Sequence, residues 1–137
     1  MDKKSELKNL FSQMIRKLQK RINLMAFIIF GSRAKGNALH FSDYDIVIIG
    51  DFQEDYMERS EWIVHIAPMV PVDLFCYTPE EFNKLFNRYN LTAIDAIDEG
   101  IFLEGENYLQ KFVDKLEFFK NRGLKKEGHI LIPPNLE

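Results

Sequence analysis

A single cysteine, five prolines, seven glycines and no surplus of positive charge set the outer limits of this 137-residue chain. Cys76 alone cannot form an internal disulfide, nor can it head a cysteine-based zinc cluster. Lys and Arg number 18 against 21 Asp and Glu, a formal charge of −3, so no electrostatic footprint for a phosphate backbone is present and a nucleic-acid partner is not expected. The longest apolar run, Leu24 to Phe30, falls far short of the ~20 residues that cross a bilayer. The first residues lead directly into a polar–apolar pattern without a secretory core, and a soluble cytoplasmic protein is expected. What is present is ordinary globular composition, 46% hydrophobic and 28% charged. A chain of this length suits one domain over residues 1–137, with a core at about residues 5–104 and a C-terminal helix and tail at about 105–137.

Apolar residues at three- and four-residue spacing predict an amphipathic helix from Ser5 to Ile22. Leu24–Phe30 reads as a buried strand, Gly31 to Asn37 as a tight turn or short helix start, and Tyr44 to Ile49 as a second strand. A helix from Glu54 to Ala67 is closed by Pro68 and Pro71 before a third strand, Val72 to Tyr77. Thr78-Pro79-Glu80-Glu81 is a capping box with proline at the first helical position. Shorter elements follow: a helix Thr92 to Glu99, a strand Ile101 to Leu103, a helix from Glu106 to the stop at Gly123, and an edge strand His129 to Ile132. The expected class is α/β (α+β): a mixed sheet of about three core strands flanked by helices, with a mostly helical C-terminal segment.

The chemistry concentrates between the first two strands. Gly31-x-x-x-x-Gly36 begins like a phosphate-binding P-loop, but Asn37-Ala38 stands where Lys and Ser/Thr are required, and no G-x-G-x-x-G occurs. A P-loop NTPase and a dinucleotide fold are both excluded. Asp43-x-Asp45 instead enters an apolar strand, and alternation puts the two carboxylates on one face, roughly 6.5–7 Å apart at their Cα atoms. Such a pair can converge on two divalent ions about 3.5–4 Å apart, the arrangement of in-line phosphoryl displacement. Oxygen-only ligands suit Mg²⁺ or Mn²⁺ better than zinc. Asp73, inside an otherwise apolar strand, reads as a third carboxylate that needs a partner.

Gly31-Ser32, the ten-residue gap, Asp43-x-Asp45 and the later Asp73 resemble the nucleotidyltransferase superfamily of DNA polymerase β type, and the compact length resembles its minimal nucleotidyltransferase (MNT) branch. The resemblance implies the nucleotidyltransferase fold, with Gly31 and Ser32 holding the triphosphate of an NTP, most simply ATP. It implies that Asp43, Asp45 and Asp73 bind two Mg²⁺ ions and that Asp73 also orients or deprotonates an acceptor hydroxyl. The reaction implied is transfer of AMP with release of pyrophosphate. Small stand-alone members resemble antitoxins that modify a tyrosine of a HEPN-domain toxin; a small-molecule acceptor such as an aminoglycoside, or non-catalytic toxin docking, are the alternatives.

Arg33 and Lys35 are candidates to add charge to the phosphate pocket, and Ser42 to orient the acidic loop. His40, His65 and His129 lack metal-ligand spacing and read as structural or surface residues. Cys76 alternates with Val72 and Leu74, so it is expected to face opposite Asp73 as a small core residue, and Trp62 and the twelve phenylalanines are most simply core. Phe118 falls off its helix's apolar stripe and is a candidate for a partner or homodimer surface.

Overall fold

The computed structural model describes residues 2–36 and 42–137. Helix α1 (Lys3–Arg21) starts earlier than its apolar pattern because the Asp2 carboxylate accepts from Ser5 N at 2.8 Å and caps it. Strand β1 (Leu24–Phe30) and the short helix α2 (Ser32–Lys35) follow, then strand β2 (Tyr44–Gly50). Helix α3 (Tyr56–Ile63) tightens into a 3₁₀ turn, Val64–Ile66, so the expected Glu54–Ala67 helix is shorter at both ends. Its first residues are lost to the extended backbone of Asp55, the N-cap. Strand β3 (Val72–Tyr77) runs into helix α4 (Pro79–Asn87) through the expected capping box, which is fully formed. Helix α5 (Leu91–Glu99), capped by Asn90, strand β4 (Ile101–Glu104) and helix α6 (Glu106–Asn121) complete the main body.

The main sheet has the order β3-β2-β1-β4, with β2 parallel to β3 and the other pairs antiparallel. It has four strands, since β4 adds to the free edge of β1. The strand expected at the C-terminus forms, but not on this sheet: β6 (Ile130–Ile132) pairs with β5 (Lys125–Glu127) in a separate hairpin.

Each sheet face packs its own core. Leu7, Phe11, Met14, Ile15 and Leu18 of α1 cover one face, against Phe27, Ile29, Ile46 and Ile48. Phe82 and Phe86 of α4, Ile94 and Ile97 of α5, and Phe112, Leu116 and Phe119 of α6 cover the other, against Ile28, Phe30, Val47 and Ile49. Each large side chain so buried contributes about 1.5–3 kcal/mol. Parity along β2 and β3 therefore decides which face every other residue serves.

Candidate active site

Asp45 and Asp73 are register partners on the two parallel strands. Adjacent strands lie about 4.8 Å apart, so two carboxylates paired in this way are immediate neighbours. Parity puts both on the face of Val47, Ile49, Phe75 and Tyr77, and Asp43, just before the strand, is near enough for its charge to act on Asp45. The three expected acids thus meet at one end of the sheet, where β1 finishes and β2 and β3 begin. Cys76 takes the opposite face as expected, 2% exposed, and burial pushes its thiol up to about 12.

Asp73 does not have the burial its apolar surroundings suggested. It is exposed, at the start of one of the sheet's two edge strands. Asp43 is exposed as well, and Asp45 is half-buried. Phe30 pairs with Asp45 across the ladder and its ring meets Phe75 at 5.6 Å, an apolar floor beneath the carboxylate. Burial raises the Asp45 carboxyl above the usual range, and the neighbouring charges of Asp73 and then Asp43 push it the same way.

Gly31 closes the site from the β1 side. Its backbone takes φ +73° and ψ −155°, a region essentially reserved for glycine. It packs so tightly on Asp45 that only a residue without a side chain fits. Ser32, the first residue of α2, is half-buried, and its hydroxyl has no hydrogen-bond partner among the described residues.

The basic residues of this turn are engaged elsewhere. Arg33 donates from Nε and Nη2 to the Ser42 carbonyl at 3.0 and 2.8 Å, and its guanidinium stacks on Tyr44 at 4.4 Å. Tyr44 belongs to the α1 side of the sheet, so Arg33 reaches away from the carboxylates while tethering the residue that precedes Asp43. Lys35 pairs with Glu99 at 3.0 Å, and that contact raises its ammonium above the usual value. His65 and His129 are exposed; His40 lies outside the described residues. Trp62 is half-buried with Arg21 3.8 Å above its ring, and Phe118 is 47% exposed.

The carboxylates suit a hard divalent cation: all donors are oxygen, and ionised Asp45 is disfavoured until a positive charge arrives. Among the described residues no three His, Cys, Asp or Glu side chains enclose a metal ion by themselves.

Two features escaped the sequence reading. Arg59 of α3, only 4% exposed, donates to the Cys76 carbonyl at 3.0 Å and to Glu81 Oε1 at 2.6 Å, binding α3, β3 and α4 together. Tyr77, four residues beyond Asp73 on the same face, stacks on Tyr56 with centroids 5.6 Å apart. Together with Lys84, Leu85 and Arg88 the two tyrosines line a cleft of about 320 Å³. Period-two spacing from Asp73 was the signal available for Tyr77.

Comparison with solved structures finds the same fold at low sequence identity. A protein from Sulfolobus solfataricus assigned as a nucleotidyltransferase superposes with a TM-score of 0.51 at 17% identity, covering 73% of this chain and 81% of that one. A toxin–antitoxin structure with AMP-PNP gives 0.50 at 18% identity, covering 78% and 83%. A variant of the MntA–HpeT toxin–antitoxin pair gives 0.54 at 23%, covering 78% and 82%. No curated protein matches the chain in sequence. The family of polymerase beta nucleotidyltransferases matches residues 12–89, from the middle of α1 to the end of α4, a span that holds all three acids and Gly31. The chain belongs to the polymerase beta nucleotidyltransferase family.

Proposed function

We propose that this protein is an antitoxin that transfers AMP from ATP to a tyrosine hydroxyl of a HEPN-type toxin. The observation that carries the transferase reading is the in-register pairing of Asp45 with Asp73 on one sheet face, beside a glycine moulded to Asp45. The toxin–antitoxin structures with the same fold, one of them with AMP-PNP, support the choice of nucleotide and partner. The chain's −3 charge favours a protein acceptor over a polynucleotide.

In this reading the Gly31 backbone and the Ser32 hydroxyl hold the triphosphate. Asp43, Asp45 and Asp73 would hold two Mg²⁺ ions, which when bound offset charge on the phosphates and on the leaving group. Asp73, the most open of the strand acids, faces the incoming acceptor and takes the hydroxyl proton. The acceptor oxygen bonds to the α-phosphorus as the bond to the bridging oxygen breaks, and pyrophosphate departs. Positioning supplies much of the rate in such a transfer. Arg33 contributes by holding Ser42, and with it the start of the acidic strand.

The test is incubation with α-labelled ATP, Mg²⁺ and candidate HEPN proteins, followed by mass spectrometry for added AMP on tyrosine. The Asp43→Asn/Asp45→Asn double variant should form the complex and leave the toxin unmodified and active. Neutralisation by that variant would instead favour docking alone, and AMP found only on added small hydroxylated compounds would favour a small-molecule transferase.

A further inference from the structure

The outer side of α3 and the edge of β3 form a surface that the catalytic reading does not use. Met57 is 76% exposed, Val64 50%, and Met69, three residues before β3, 101%. Ser60, Glu61 and Val64 face Val72, Asp73 and Leu74 across a cleft of about 340 Å³, so exposed Val64, with Val72 and Leu74, lines a cleft that reaches the third carboxylate of the site. Single exposed apolar residues are ordinary, but a group of them beside a reacting centre is not.

The charge of the segment that carries these apolar residues is almost all of one sign. Residues 51–73 carry six carboxylates, one Arg and no Lys. The Arg is Arg59, which is buried and committed to Glu81. Glu54 has a partner in Arg21 at 3.6 Å, but Asp55, Glu58 and Glu61 are exposed and have no ion pair among the described residues. Uncompensated charge at the rim of an apolar patch selects the opposite sign on whatever docks there and speeds its arrival.

We infer that the α3–β3 edge face is the docking surface for the acceptor protein, and that it takes a basic segment with apolar anchors which delivers its hydroxyl to Asp73. This rests on the transferase reading for the role of Asp73, whereas the charge preference of the face stands on the surface alone. The apolar anchors occupy the cleft beside Val64 and Leu74, and Lys or Arg side chains of the segment meet Glu58 and Glu61.

The test uses the full chain and two fluorescent peptides, each with one tyrosine and the same leucines, flanked by four lysines in one and four glutamates in the other. Anisotropy at low salt should show the lysine peptide binding the wild type about tenfold more tightly than the glutamate peptide, with the gap closing at high salt. Glu58→Lys/Glu61→Lys, at two exposed positions, should reverse that order while the thermal shift produced by Mg-ATP stays the same. Equal binding of the two peptides to the wild type, or an unreversed order in the variant, overturns the proposal. AMP transfer onto the peptides reads the enzymatic function separately. Transfer without charge preference keeps the transferase and removes this face, while charge-selective binding without transfer keeps the face and removes the acceptor chemistry.

Discussion

A Cβ placed on Gly31 would stand 2.2 Å from Asp45 Oδ2, so the turn after the first strand and the second acid are shaped to one another. Gly31→Ala forces the carboxylate to swing away and strains a backbone at φ +73°. The strain should cost about 1–3 kcal/mol. AMP transfer should fall by about 100-fold or more, a larger loss than the stability change explains, as a displaced reacting group commonly causes. Urea melts and transfer assays on the same preparation separate the two effects.

Asp45→Asn should raise the melting temperature at neutral pH while abolishing transfer. The folded pKa of Asp45 lies above its unfolded value, so ionised Asp45 weakens the fold at any pH above the usual carboxylate range. The amide removes that cost. The advantage of the variant should therefore fade as the pH drops below about 4, where both states of the wild type are protonated. Mg-ATP should stabilise the wild type and not the variant, which calorimetry with and without the ligand will show.

Arg33→Ala separates tethering from phosphate binding. Because the guanidinium holds the Ser42 carbonyl and stacks on Tyr44, its loss should loosen the approach to Asp43. The expected result is a fall in kcat of roughly 10–100-fold with a raised Mg²⁺ requirement and little change in KM for ATP. Arg33→Lys, which lacks the planar fork, should recover only part of it. A change confined to KM for ATP would show instead that Arg33 touches the triphosphate.

Glu81→Gln should cost about 1–3 kcal/mol at pH 7, because it leaves the buried Arg59 cation with a neutral acceptor. Burial by itself would raise the Glu81 carboxyl, but the hydrogen bonds from Arg59 and from the Thr78 backbone outweigh it and hold the carboxyl low. A lowered folded pKa means stability that is present above the unfolded value near 4.3 and lost as pH falls through the folded one. The gap between variant and wild type should accordingly close in acid, as chemical denaturation across pH 3–7 will report.

Much of this site was legible in the chain because strands repeat every two residues. That period predicts a shared face for Asp43 and Asp45, and Asp73 joins Asp45 because β3 pairs in register with β2. The boundaries of β1 and β3 follow from apolar runs closed by glycine, proline or a capping box. Asp73's exposure was not legible, since an edge strand and an inner strand read alike when both are apolar. Glu81 was recognised as a helix cap, but its bond to Arg59, 22 residues away, depends on how two helices sit on β3. The C-terminal strand was recognisable, whereas its partner was not: Lys125–Glu127 is wholly polar and carries no strand pattern.

Strand β3, at one edge of the sheet, has a ladder partner on one side only, and its second residue is the third acid. Segments held this way open before the body of a domain does. Slow warming should therefore silence the protein several degrees before the cooperative melt, and cooling should restore it fully. Amide exchange at residues 72–74 would then outpace that of the interior strands, so that a fraying margin acts as a reversible thermal cut-out while both cores stay intact.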